Sequence, residues 1–97
     1  MSMEEIRREH WRIAILRLLK DGGNTANSSV LYDALPKLGL NPSRDQLNSE
    51  LAWLSDQGLV LLKTLHNLLV ATITIRGLDV AQGRASVPGV KSPSPEV

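Results

Sequence analysis

Cysteine and phenylalanine are absent from this chain of 97 residues, and its aromatic content is one tyrosine and two tryptophans. Without cysteine there is no disulfide framework and no thiolate metal site, and nothing points to an oxidising compartment. Without phenylalanine the core must be aliphatic, built from Leu, Ile, Val and Ala. No apolar run approaches the roughly 20 residues of a membrane span. Near the start, Glu4, Glu5, Arg7, Arg8 and Glu9 stand where a secretory signal needs an apolar segment. The expectation is a soluble, unexported protein with no membrane contact. Strong charge of either sign is also missing: eleven basic and ten acidic side chains leave a net charge of +1. A protein that coats nucleic acid is far more basic, so any contact with DNA has to come from local charge placement. Catalytic patterns are lacking too. The chain has no phosphate-cradling glycine loop, only His10 and His66 as imidazoles, and no plausible Ser, His and acid spacing. Neither an enzyme nor a cofactor is expected.

What is present is a succession of well-marked elements. Met3 to Lys20 has no Gly or Pro, and Trp11, Ile15, Leu18 and Leu19 fall on one helical stripe expected to face the core. Glu4 with Arg8, and Glu9 with Arg12, are spaced to pair along the solvent side, and Gly22-Gly23 end the helix. A polar stretch from Asn24 to Ser28 leads into a second amphipathic helix through Val30, Leu31, Ala34, Leu35 and Leu38. Pro36 removes a backbone donor late in that pattern, which predicts a kink or an early end near Leu35. The third helix has the clearest punctuation. Ser43 is its N-cap, Gln46 the capping-box partner, Leu47, Leu51 and Leu54 the buried stripe, and Gly58 the stop.

After Gly58 the composition turns to Val, Leu, Ile and Thr in two runs, Leu59 to Leu65 and Leu68 to Ile75. His66 and Asn67 lie between them, which reads as a β-hairpin. The turn lacks Asn-Gly or Asp-Gly, so a tip longer than two residues stays open. Thr74 can cap a short last helix that closes at Gly83. From Ser86 onward Pro88, Pro93, Pro95 and several serines predict an extended or disordered tail. The whole is a mainly α, α+β chain: three helices, a two-stranded wing and a short C-terminal helix. That is the layout of a winged helix-turn-helix domain over residues 1–85, followed by a flexible tail over 86–97.

The stretches Arg8-Glu9-His10, Ala14-Ile15-Leu16-Arg17-Leu18-Leu19, Ser43-Arg44-Asp45-Gln46-Leu47, Leu51-Ala52-Trp53-Leu54, Gln57-Gly58-Leu59-Val60, and Arg76-Gly77-Leu78-Asp79-Val80-Ala81 running into Val87-Pro88-Gly89-Val90-Lys91 carry a resemblance over nearly the whole chain. It resembles the small winged-helix proteins of Mu-like phages and prophages, often labelled regulators of the ArsR type. The resemblance implies a phage protein acting in the host cytoplasm. Related genes tend to lie near head and packaging genes, so it leaves open transcriptional regulation or a part in head assembly or DNA packaging. The metal sensing suggested by the ArsR label finds no support in a chain with no Cys and two His.

In a winged helix that binds duplex DNA, outward residues of the third helix reach base edges while basic groups hold phosphates. With Leu47, Leu51 and Leu54 inward, the outward set includes Asp45, Asn48, Ser49, Ala52, Trp53 and Asp56. Ser43, Arg44, Gln46, Asn48 and Ser49 suit DNA contact, helped by Arg8 and Arg12 of the first helix and by Lys63 and His66 of the wing. Each also has a plain reading as a solvated side chain. Charge argues against the DNA role, since Arg44 stands alone against Asp45, Glu50 and Asp56. Trp53, a large aromatic on a polar face, marks a possible partner contact with another phage protein, or else packs on the turn after the second helix. One face of the apolar hairpin must lie on the helices, and the other is a possible homodimer seam.

Overall fold

The structure, a computed structural model, describes residues 1–93. It is α+β. Helix α1 (Met3–Asp21) is followed by strand β1 (Thr25–Asn27), helix α2 (Ser28–Ala34), a 3₁₀ turn (Leu35–Leu38) and helix α3 (Arg44–Asp56). Strands β2 (Val60–Leu65) and β3 (Leu68–Ile73) form the hairpin, and helix α4 (Ile75–Ala81) comes last. The strands make one antiparallel sheet in the order β1-β3-β2.

Each helix begins on a side-chain cap. The Ser2 hydroxyl accepts the Glu5 N–H at 3.1 Å, and Glu4 and Glu5 sit at the positive end of the α1 dipole. The Asn27 side chain caps α2 by accepting the Val30 N–H at 2.9 Å. At α3 the expected capping box is complete: Ser43 Oγ accepts the Gln46 N–H at 3.1 Å and Gln46 Oε1 accepts the Ser43 N–H at 2.8 Å. Thr74 Oγ1 accepts the Gly77 N–H at 3.0 Å and donates to the Gly58 carbonyl at 2.8 Å. Arg76 donates to the Gln57 carbonyl. The start of α4 thereby satisfies carbonyls left open where α3 ends.

The core is aliphatic, as the composition requires. Ile15, Leu16, Leu19, Leu35, Leu51, Leu54, Leu59, Val60 and Ala71 are fully buried. Each large one contributes about 1.5–3 kcal/mol by leaving water. The α1 stripe is broader than the periodicity indicates, because Ile13, Ala14 and Leu16 are buried with Trp11, Ile15 and Leu19, while Leu18 is only half-buried. The turn at Pro36 ends α2 at Ala34, where the chain tightens into 3₁₀. This swings Leu38 out of the expected stripe, and Leu38 and Val30 are both exposed.

Several expectations are corrected by contacts distant in sequence. The polar stretch Asn24 to Ser28 contains a strand, so the ribbon of two strands is a sheet of three: Ala26 pairs with Ala71 and Asn27 with Val70. Thr25 and Thr72 join their hydroxyls at 3.1 Å on this added edge. The hairpin tip has two residues after all, since Leu65 pairs directly with Leu68. His66 and Asn67 both take positive φ, 51° and 66°, the conformation that Asn-Gly adopts most readily. The segment from Ser86 to Pro93, read from sequence as the start of a flexible tail, lies against the domain with Val87 and Val90 buried. The rest of the expected tail, residues 94–97, lies outside the described residues.

Arg12 does not pair with Glu9 along the solvent side. Its Nε donates to Glu50, whose side chain is also buried, and its Nη1 donates to the Gly89 carbonyl at 2.9 Å. Glu4 and Arg8 pair as expected, at 3.2 Å.

Two stability predictions follow from this packing. Glu50→Gln leaves the Arg12 charge buried without its partner and is expected to cost about 3 kcal/mol. For a domain of this size that lowers the melting temperature by on the order of 10 °C. The double change Arg12→Met with Glu50→Leu removes both charges and is expected to recover most of that loss in a circular dichroism melt; equal losses in the single and double variants would rule out the pair as the cause. At the hairpin tip, His66→Asn with Asn67→Gly installs the Asn-Gly pair that takes these positive φ values most readily and is expected to add about 1 kcal/mol in urea unfolding. A loss of stability there would mean that the His66 side chain holds the turn.

Candidate nucleic-acid interface

The N-terminal turn of α3 lies close to the hairpin tip. Arg44, Leu47 and Asn48 of α3, Ser28 and Tyr32 of α2, and Asn67 and Leu68 at the tip line one cleft of about 110 Å³. The strand order dictates this proximity: β3 is central, β1 beside it runs straight into α2, and the Ser28 hydroxyl accepts the Leu69 N–H at 3.3 Å. The Arg44 guanidinium lies over the Tyr32 ring, 4.4 Å from its centre, which restricts a long side chain that would otherwise be free in solvent. Sequence reasoning passed over Tyr32, and no local signal marks it, because the contact is made between two helices.

The other expected residues distribute unevenly. Asn48 and Ser49 are exposed on the outward face of α3. Ser43 and Gln46 are committed to the capping box, although Gln46 also lines a shallow pocket with Arg7, Trp11 and Asn41. Lys63 is exposed on the outer face of β2, opposite Val70, and His66 is exposed at the tip. Arg8 and Arg12 are not part of the cleft. Both converge on Glu50, Arg12 in direct contact and Arg8 at 3.9 Å. Arg12 is thereby withdrawn from the surface where a phosphate contact was expected.

Trp53 is half-buried rather than outward. The Arg12 guanidinium lies 3.8 Å from its ring centre, and Gly89 sits against the ring edge. Arg12 of α1 and Gly89 of the segment after α4 lie against it. Glu50, counted in the charge of α3, is buried, so the exposed charges of α3 are Arg44, Asp45 and Asp56. That face is less acidic than the sequence count indicates, though still not basic. Among the described residues no group of acids and histidines is arranged to hold a metal ion, and no helix is long and apolar enough to cross a membrane.

These features define a small α+β protein with a small cleft of mixed polarity between a capped helix and a hairpin tip. The chain is 46% identical over 93 residues to the uncharacterized protein gp26 of Escherichia phage Mu, spanning 96% of this chain and 97% of that protein. It is 35% identical over 97 residues to an uncharacterized protein of Haemophilus influenzae, spanning 99% and 95% of the two chains. It belongs to the family of the Mu phage protein. No family model and no solved structure matches it.

Gly89 is the residue that lets the last segment close over Trp53. It has φ +97°, and a Cβ there would lie 2.9 Å from the indole and 3.0 Å from Arg12 Nη1. Gly89→Ala is expected to displace the segment, shift tryptophan emission to the red and lower stability by about 1–2 kcal/mol. Unchanged emission and stability would show that the segment contributes nothing to this packing.

Proposed function

We propose that this is a phage- or prophage-encoded winged helix-turn-helix protein that binds duplex DNA without catalysis, in the host cytoplasm. In this reading α2 and α3 are the helix-turn-helix and β2–β3 the wing. The observation that carries it is the shared cleft, in which Arg44, oriented on Tyr32, and Asn48 stand beside the hairpin tip. An arginine and an asparagine near a helix N-terminus offer a phosphate or guanine contact and a bidentate adenine contact. The exposed Lys63 and His66 are available to a neighbouring backbone strand. Arg12, buried against Glu50, contributes little, and Arg8 stays at the surface beside Glu4, outside the cleft.

The test is fluorescence anisotropy of labelled duplex DNA, of phage and random sequence, at several salt concentrations. Arg44→Ala is expected to weaken binding about tenfold and to reduce the salt slope by about one. Tyr32→Leu should reproduce part of that loss and Tyr32→Phe should not. No binding at low salt refutes the DNA reading; binding indifferent to Arg44→Ala places the contact elsewhere.

A second reading, a protein-interaction module in head assembly or packaging, is favoured by one observation. The outer sheet face exposes Leu61 and Leu65, while the outward face of α3 keeps Asp45 and Asp56 against one arginine. That face also suits a homodimer. The module reading gains if DNA binding is absent and Leu61→Ser with Leu65→Ser dissolves a specific phage-protein complex.

A further inference from the structure

Strand β2 closes one side of the sheet, and among the described residues no strand lies beyond it. The pairing on β3 fixes how its backbone is turned. The Leu69 N–H donates to Ser28 Oγ and the Ile73 N–H to the Asn24 carbonyl, both on the β1 side. In an antiparallel ladder a residue points its N–H and C=O to the same side, so Leu69, Ala71 and Ile73 face away from β2. Their partners Thr64, Leu62 and Val60 therefore turn theirs to the open edge. Val60 is fully buried, which leaves the half-buried Leu62 and the exposed Thr64 to offer hydrogen bonds. The side chains that alternate with them are Leu61, Lys63 and Leu65, on the outer sheet face, with the two leucines 66% and 54% exposed. Lys63 stands opposite Val70 and makes no ion pair among the described residues. No carboxylate occurs in the sequence between Asp56 and Asp79.

We infer that the β2 edge takes up an antiparallel, extended segment of a partner protein, with a carboxylate opposite Lys63 and apolar side chains opposite Leu61 and Leu65. In strand addition the main chain supplies affinity and alternate side chains supply specificity. Lys63 decides against a second copy of this chain as the occupant. Pairing that uses Leu62 and Thr64 of both copies sets each against the other and brings Lys63 onto Lys63, like charges with α-carbons about 4.5 Å apart. A carboxylate at that place meets a cation that has no other partner, between leucines that leave water. Duplex DNA could meet Lys63 but has neither a strand for Leu62 and Thr64 nor cover for the leucines. The inference rests on the protein-interaction reading of this sheet face and names its partner; no residue of β2 lines the Arg44 cleft.

The experiment uses the full chain and three fluorescein-labelled designed peptides of about nine residues, in which leucine, a charged residue and leucine alternate with threonines. The charged residue is glutamate in the first and lysine in the second; the third is the glutamate peptide with both threonines beside the glutamate N-methylated. Anisotropy is expected to show binding of the glutamate peptide, the lysine peptide about tenfold weaker, and loss of binding on N-methylation. Lys63→Glu is expected to reverse the order of the first two peptides, with a circular dichroism melt like the parent's because the side chain is exposed. No binding of the glutamate peptide, a peptide order that Lys63→Glu leaves unchanged, or full binding of the N-methylated peptide overturns the proposal. Dimerisation of the chain alone that the glutamate peptide competes away assigns the edge to a second copy and overturns it as well. If those results fail while Leu61→Ser with Leu65→Ser still dissolves a phage-protein complex, the protein-interaction reading stands and strand addition does not.

Discussion

The contact between Arg12 and Glu50 ties together three parts of the chain that have no local reason to meet. A carboxylate on the inner side of α3 costs several kcal/mol to desolvate unless a cation and its hydrogen bonds replace the lost water. Arg12 supplies both, and it also stacks on Trp53 and donates to the Gly89 carbonyl. One guanidinium therefore fixes α1 to α3 and holds the segment after α4 across the junction. The planar fork makes this possible: a lysine at the same position offers a point charge but neither the stacking face nor the divergent donors. The buried Val87 and Val90 follow from that attachment, because they bring apolar surface to a segment that its prolines would otherwise leave extended.

This ion pair also changes the electrostatics of the surface. Counted along the sequence, α3 is an acidic helix that repels a phosphate backbone. Burial of Glu50 removes one of its charges from the exposed face, and Arg12 is spent on it, while Arg8 stays at the surface beside Glu4. On the proposed DNA reading, what is left at α3 is small and specific: Arg44 on Tyr32, and Asn48 beside the hairpin tip. A contact surface of that kind relies on geometry more than on net charge, consistent with a chain that is almost neutral.

The helices were legible where the signals are local. Caps at Ser43 and Thr74, the glycine stop at position 58 and the break at Pro36 depend on residues three or four apart, and all appear where the sequence puts them. The misses share a different cause. Strand β1 is three residues, Thr25, Ala26 and Asn27, too short and too polar to show a strand pattern, and it exists because β3 offers a free edge. The burial of Glu50 and the covering of Trp53 are each decided by neighbours tens of residues away. The candidate site divides the same way: Arg44 and Asn48 were found from helix phase, whereas Tyr32 emerges only when α2 is laid beside α3.

Helix α1 shows how so small a domain uses one element on several sides. Trp11, Ile13, Ile15 and Leu19 enter the interior, Arg12 turns to Glu50 of α3, and Arg8 pairs with Glu4 at the surface. A helix apolar or committed on this many sides has little amphipathic contrast, which is why its sequence suggests one stripe and its structure buries a broader one.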